Sequence, residues 1–144
     1  MIDMQAMEQE MSRVAANVAG YDWNPVLGGD VRKEALQAVR DNFNSSASPD
    51  NRSWPPRKNV GDGHPLLIDT GRLMQAATGG GPGHVTRVQD GELTVGVDGS
   101  KVKYAGVHNR GGRRMPKREF MGARPPKLKQ IGEIIADAGL EAFE

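Results

Sequence analysis

Hydrophobic residues in the first third of the chain recur at helical spacing. Along residues 1–19 they fall three or four positions apart, which predicts a helix with one apolar seam. The seam consists of Met4, Met7, Met11, Val14 and Val18. Two interpretations remain open. The seam could pack on the protein's own core, or it could pack on a neighbouring subunit, for which adaptable methionine side chains are suited.

A second helix is predicted after the GYDWNP break at residues 20–25. Asp30 is its predicted N-cap, and its end is expected near residues 44–46. Its apolar stripe is Val31, Ala35, Val39 and Phe43, with Leu36 beside it.

Residues 45–65 form a long polar loop rich in Pro, Gly, Ser and Asn. Trp54 is its only large apolar side chain, so we expect Trp54 to hold the loop against another surface. The next stretch, 65–78, predicts a short helix capped by Asp69 or Thr70, with Leu73, Met74 and Ala77 facing inward. GGGPG at 79–83 ends that helix.

The pattern then changes to a period of two. Residues 84–89 and 92–97 alternate around Asp90-Gly91, a strong hairpin signal. Residues 102–108 and 118–122 are candidates for a third and a fourth strand. A final helix is expected from about Pro126, with its stripe at Leu128, Ile131, Ile135 and Ala138. The prediction is one α+β domain over 1–144: N-terminal helices, a small, mostly antiparallel sheet of three to four strands, long loops and a C-terminal helix.

Charge is distributed unevenly, although the net charge is only +1. Residues 101–129 hold ten Lys or Arg and one acidic residue, whereas residues 130–144 hold four acidic residues and no Lys or Arg. A basic block of this kind attracts phosphate or an acidic protein surface. Mean hydropathy is −0.58, which is low for a compact monomer and is consistent with burial against partners.

The chain lacks the residues that several classes of protein require for their function. The chain has no cysteine, which excludes disulfides, cysteine-ligated zinc and thiol catalysis. No apolar run is long enough to span a bilayer, and the acidic N-terminus does not resemble a signal peptide, so we expect a soluble protein of the cytoplasm. The histidines have no metal-ligand spacing, GGGPG lacks the residues of a phosphate loop, and no nucleophile has an evident base. We therefore expect no enzyme activity, no metal and no cofactor.

The basic loop at 108–118 has three interpretations at this point. It could bind nucleic acid through phosphate contacts, but it has few aromatic residues for stacking on single strands. It could dock on an acidic protein surface, or it could be a solvated loop. Its candidate contact residues are Arg110, Arg113, Arg114, Lys117 and Arg118, with Phe120 on the return segment.

The order of motifs resembles the virion-morphogenesis and tail-completion proteins of tailed bacteriophages. Four pieces carry the resemblance over roughly 30–144: the WPP of the long loop, PLLIDTGRL, VGVDGSKVKYAGVHNRGG, and MPKREFMG before the closing helix. Asn109 stands where the family usually has Gln, and Met121 where it has Leu. The N-terminal seam helix matches less clearly.

The resemblance implies a structural protein of the head–tail neck of the virion, assembled in the cytoplasm of the bacterial host. Such proteins form rings, often hexamers, between the portal or head-connector side and the tail terminator or tail tube. The basic residues and Phe120 would then belong to an interface with a neighbouring subunit, the next ring or DNA in the channel. Trp54 would hold the long loop, also across a subunit boundary, and Met4, Met7 and Met11 would pack between subunits. The alternative is a small basic nucleic-acid-binding module.

Overall fold

The structure is a computed structural model, and it describes residues 4, 5, 7–9, 12, 20–56, 66–67 and 71–141. From residue 21 onward the described residues form five α-helices and a two-stranded antiparallel sheet. The helices are α1 (Asn24–Val26), α2 (Arg32–Ser45), α3 (Arg72–Thr78), α4 (Ala105–Arg110) and α5 (Pro125–Glu141), and the strands are β1 (His84–Gln89) and β2 (Glu92–Val97). The mixed helix and sheet content and the C-terminal helix were predicted correctly.

The predicted seam helix lies mostly outside the described residues. The described residues at 4, 5, 7–9 and 12 are helical. Met4 and Met7 are 59% and 42% exposed, and Met11 lies outside the described part of the chain. Neither described methionine is therefore buried in the protein's own core.

The second helix begins earlier than predicted. A π-helical turn, Leu27–Val31, joins α1 to α2, so Asp30 lies inside a helical segment and is not an N-cap. Two local features favour the earlier start. Pro25 occupies the first turn, where its fixed φ is favourable, and the Asn24 amide donates to Asp22 Oδ1 at 3.1 Å. The predicted end is confirmed, because Ser46 adopts a left-handed conformation with φ of 50° directly after α2.

The hairpin was predicted at its correct bounds. Gln89 pairs with Glu92 and His84 with Val97 at its two ends. Asp90 and Gly91 both have positive φ, 52° and 74°, as a tight two-residue turn of this type requires. Helix α3 also ends as predicted, at Gly79 in a left-handed conformation. The predicted caps Asp69 and Thr70 lie outside the described residues.

The predicted third strand is wrong. Residues 102–104 form turns, and α4 follows from Ala105. The Val102 amide donates to the Asp98 carbonyl at 2.9 Å, and the Ala105 amide donates to the Val102 carbonyl at 3.1 Å. Val102 and Ala105 are buried and three residues apart, which is helical spacing. The same stretch also has alternating apolar and polar residues, and that alternation led to the prediction of a strand.

The predicted fourth strand, 118–122, is not a strand either. It is an extended segment whose hydrogen-bond partners are mainly side chains, as the next subsection describes. Ladder pairing among the described residues is therefore confined to β1 with β2 and to a single bridge between Ala47 and Ser53.

Helix α5 begins at Pro125, and most of its predicted apolar stripe is not buried. Of the stripe residues only Ala138 is buried, while Leu128 and Ile135 are exposed. An ion pair connects α5 to α2, because Lys127 Nζ lies 2.7 Å from Glu34 Oε2. None of the helices in the described ranges combines the length and the hydropathy needed to cross a membrane.

The core lies between α2, α3, the turn before α4 and the segment around Phe120. Phe43 is at its centre, with ring centroids 5.7 Å from Trp54 and 5.4 Å from Phe120. The other buried members of this cluster are Val39, Leu73, Ala76, Ala77, Val102 and Ala105.

Candidate functional site: a basic loop on a buried base

The candidate site is the loop from α4 to α5, which has an exposed end and a buried base. We call residues 112–115 the tip. The Gly112 amide donates to the Met115 carbonyl at 2.9 Å, and the Met115 amide donates back to the Gly112 carbonyl at 3.3 Å. These two bonds close a tight turn, with Arg113 and Arg114 as its two central residues. The turn therefore presents both arginines at the outermost point of the loop.

The entry to the tip requires glycine. Gly111 has φ of 79°, and a Cβ built on it would lie 3.0 Å from the Lys117 Cβ and 3.2 Å from the Lys117 backbone nitrogen. A larger residue would therefore combine backbone strain with a close contact. The Gly111 amide donates to the Val107 carbonyl at 2.8 Å, which ends α4 at the start of the loop.

The basic side chains at and beside the tip are exposed. Arg110, Arg113 and Arg114 have no hydrogen bond or ion pair with any residue that the structure describes. Lys117 Nζ lies 3.4 Å from Glu119 Oε2, a solvent-exposed pair of small energetic value. The loop therefore carries cations whose charge is not compensated within the described chain.

Exposed apolar residues surround these cations. Tyr104, Val107 and Met115 are 43%, 43% and 41% exposed. A Cβ on Gly112 would lie 3.1 Å from Val107 Cγ1 and 3.9 Å from the Met115 Cβ, so these side chains border one surface. Tyr, Met and Arg are enriched in the cores of protein–protein interfaces, and this surface contains all three.

The base of the loop is held by hydrogen bonds between side chains and backbone groups. We call Asn42, Trp54, Asn109 and Arg118, together with segment 118–122, the base clamp. Asn42 Nδ2 donates to the Phe120 carbonyl at 2.8 Å and to the Gly122 carbonyl at 3.0 Å. Trp54 Nε1 donates to the Glu119 carbonyl at 3.0 Å.

Asn109 completes the clamp from the other side. Its Oδ1 accepts hydrogen bonds from the amides of Phe120 and Met121, at 3.1 and 3.0 Å. These bonds occupy the positions at which a strand would have a ladder partner, and that is why 118–122 is extended without belonging to a sheet. The role of the Asn109 side chain in this structure is to hold the return segment.

Arg118 connects the loop to the Pro-rich segment. Its Nε donates to the Pro55 carbonyl at 2.9 Å and its Nη2 to the Pro56 carbonyl at 3.2 Å. The Arg118 amide donates to the His108 carbonyl at 2.8 Å. Burial and the nearby Arg118 guanidinium lower the pKa of His108 below its usual value of 6.5.

The structure thus divides the predicted interface residues into two groups. Arg110, Arg113, Arg114 and Lys117 are exposed together on the loop. The side chains of Trp54, Arg118 and Phe120 are buried within the chain, so they position the loop and do not present a surface to a neighbour. The long loop is held by Trp54 against its own core, and residues 57–65 of that loop lie outside the described residues.

Sequence reasoning missed Asn42 and Asn109. A signal for Asn42 existed, because it lies four residues after Ala38 and next to Phe43, on the buried face of α2. A polar residue at such a position requires hydrogen-bond partners from elsewhere in the fold. Asn109 was noted only as a departure from the family pattern, which did not indicate its role in holding segment 118–122.

Comparison of the chain with known proteins identifies a family. No curated protein and no solved structure matches the chain significantly. The model of the phage virion morphogenesis family matches residues 2–138, nearly the whole chain. The chain belongs to the phage virion morphogenesis family.

Proposed function

We propose that this protein is a structural component of the head–tail neck of a tailed phage, where it completes the tail and makes it competent to join the head. The observation that carries the proposal is the family match over residues 2–138, combined with the exposed tip on its buried base. A role in virion assembly requires surfaces that contact other proteins, and the loop has the residue types of such a surface.

Ring assembly is part of this proposal. Several large apolar side chains are exposed on the isolated chain, among them Met4, Met7, Leu128 and Leu140. Exposed apolar side chains of this size favour contact with neighbouring subunits, which would bury them. We propose a closed ring, six-fold as the family resemblance implies, with the head-connector or portal side and the tail terminator or tail tube as neighbours.

The role proposed is structural and not enzymatic. Within the described residues no group of three or more His, Asp or Glu side chains is arranged to hold a metal ion. At the base of the loop, Asn42, Trp54 and Arg118 donate hydrogen bonds to backbone carbonyls of the segments they hold. We propose that their task is to fix the shape of the loop, with no cofactor involved.

A nucleic-acid-binding module is the second candidate. It is favoured by one observation, the uncompensated charge of Arg110, Arg113 and Arg114. Salt titration separates the two candidates. For duplex DNA bound through phosphates, the logarithm of the binding constant falls with the logarithm of the salt concentration, with a slope of about −0.9 per neutralised phosphate. Association through apolar surfaces does not weaken with salt in this way.

The proposed function is tested by electron microscopy of lysates from a phage that lacks this gene. The proposal predicts DNA-filled heads and tails of finished length that remain separate. Supplying the intact gene from a plasmid should restore joined virions. Normal virions in the absence of the gene and the plasmid would rule out a role in completing or joining the tail.

A further inference from the structure

We propose that the tip of one copy docks into an acidic groove on the next copy, so that the ring closes through a head-to-tail contact. The groove lies between α5 and the segment formed by α1 and the π-helical turn. This inference rests on the proposed ring assembly and names the two surfaces that would meet.

The groove has an apolar and an acidic part. Its volume is about 460 Å³, and its lining includes Pro25, Val26 and Ile134 on the apolar side. Asp30 lines it from the π-helical turn, and Asp137 and Glu141 line it from α5. An apolar floor with acidic margins is the complement of a surface that carries exposed apolar side chains and arginines.

The acidic residues form a continuous ridge. Glu133, Asp137 and Glu141 are four residues apart on α5, so they share one face of the helix. Asp30 and Asp137 make no ion pair with any residue that the structure describes. Among the described residues, the Tyr21 hydroxyl is the one donor to the Glu141 carboxylate, through a long hydrogen bond of 3.4 Å to Oε2. The negative charge of this groove is therefore almost uncompensated within the described chain.

The tip matches this groove in chemistry. The turn carries two arginines and Met115, and the groove offers three carboxylates beside apolar residues. Arginine pairs with carboxylates through two parallel hydrogen bonds, which gives the contact a fixed geometry. Met115 would meet the apolar floor while Arg113 and Arg114 meet its acidic margins.

The apolar residues favour a protein partner over DNA. Tyr104, Val107 and Met115 would gain nothing from a phosphate backbone, because phosphate contacts are made by charged and polar groups. The tip is basic and the groove is lined by Asp30, Asp137 and Glu141, so the two surfaces are complementary in charge between copies. The complementary charges therefore favour a second copy of this chain as the partner that binds the tip.

The contact is heterologous. Each copy has one tip and one groove, so a contact between two copies leaves one free surface of each kind. Such contacts propagate until rotation closes the ring. Before closure, the free tip and the free groove keep recruiting further copies.

Cysteine cross-linking tests the contact, because the natural chain has no cysteine to interfere. The double variant Met115→Cys, Gly29→Cys keeps every charge. Gly29 lines the groove, and a Cβ on it would meet nothing within 4 Å. The variant is supplied to the phage that lacks the gene, and the particles or tails are purified and oxidised. A disulfide forms only when the two Cα atoms approach to about 7 Å or less. We expect a ladder of dimers, trimers and larger species on a denaturing gel.

The matched control is Met115→Cys, Gly132→Cys. Gly132 is also in open space, but it lies on α5 outside the groove. We expect no ladder from this pair. We also expect no species beyond a dimer from Met115→Cys alone or from Gly29→Cys alone. Absence of the ladder from the first pair in particles that contain the protein would overturn the inference, as would an equal ladder from the control.

Failure of this inference is distinguishable from failure of the proposed function. If the deletion separates heads from tails but no ladder forms, the neck role stands and the docking contact is wrong. If the deletion leaves virions normal, the neck role itself fails. A ladder in particles and separated heads and tails in the deletion support both.

Discussion

The tip and the base clamp belong to the same loop and have opposite physical properties. At the clamp, donors on Asn42 and Trp54 are buried and engaged with backbone carbonyls of residues 119–122. At the tip, Arg113 and Arg114 have no partner among the described residues. The difference shows that stability is concentrated in the base, while the charges of the tip contribute little to folding. Substitutions in the two regions should therefore separate stability from assembly.

The largest loss of stability is expected for Trp54→Ala. The substitution leaves a cavity beside Phe43 and removes the donor to the Glu119 carbonyl. A cost of about 4 kcal/mol in the free energy of unfolding follows, as for other large-to-small core changes. Trp23→Ala is the control, because Trp23 is only partly buried, and about 1–2 kcal/mol is expected for it. Urea unfolding measures both, and equal losses would contradict the placement of Trp54 in the core.

Asn42→Ala should lower the free energy of unfolding by nearly as much as Trp54→Ala, although it removes few atoms. It deprives the Phe120 and Gly122 carbonyls of their donor, and the Phe120 carbonyl site is buried. About 3 kcal/mol is expected, because buried unsatisfied groups each cost roughly 1–3 kcal/mol. Asn44→Ala, at the exposed end of α2, should change stability by about 0.5 kcal/mol or less. An Asn42→Ala variant as stable as Asn44→Ala would show that this clamp is not needed.

Gly111→Ala tests the junction between the two regions. The positive φ and the close approach of Lys117 predict a loss of about 1–3 kcal/mol. Gly132→Ala provides a control of opposite sign, because Gly132 is helical with open space around it, and a gain of about 0.5–1 kcal/mol is expected. Thermal or urea unfolding reports both values. A neutral Gly111→Ala would contradict the tight turn at the start of the loop.

The smallest effect is expected from the titration of His108. Its pKa is lowered in the folded protein, by burial first and by Arg118 second, so folding favours the neutral imidazole. Stability should therefore be full above the unfolded value of 6.5 and should fall as the pH drops below it through the lower folded pKa. His108→Gln should reduce this dependence when urea midpoints are compared between about pH 7.5 and about pH 5. An unchanged pH dependence in that variant would assign the effect to other groups.

The sequence predicted the elements that depend on local chemistry. The hairpin at Asp90-Gly91 and the end of α3 at Gly79 follow from turn residues that act over a few positions. The base clamp was not predicted, because Asn42 and Phe120 are 78 residues apart and side-chain-to-backbone bonds leave no periodic pattern. The segment 118–122 was predicted as a strand for the same reason, since extended backbone alone does not reveal what it pairs with.

The exposed basic residues of the loop were predicted, but their separation from the buried ones was not. In sequence, Arg114 and Arg118 are equivalent members of one basic block. In the fold, Arg118 donates to Pro55 and Pro56, and Arg114 remains exposed. The distinction depends on where the Pro-rich segment lies, which is a tertiary feature.

The central claim is that the exposed arginines of the tip act in assembly and not in folding. It is tested most directly by supplying the double variant Arg113→Glu, Arg114→Glu to the phage that lacks the gene and counting joined virions. The account predicts a protein of unchanged stability, to within about 0.5 kcal/mol, together with separate heads and tails. Arg87→Glu, a charge reversal at an exposed residue of β1, should leave the yield of virions normal. A normal yield with both tip arginines reversed would contradict the account.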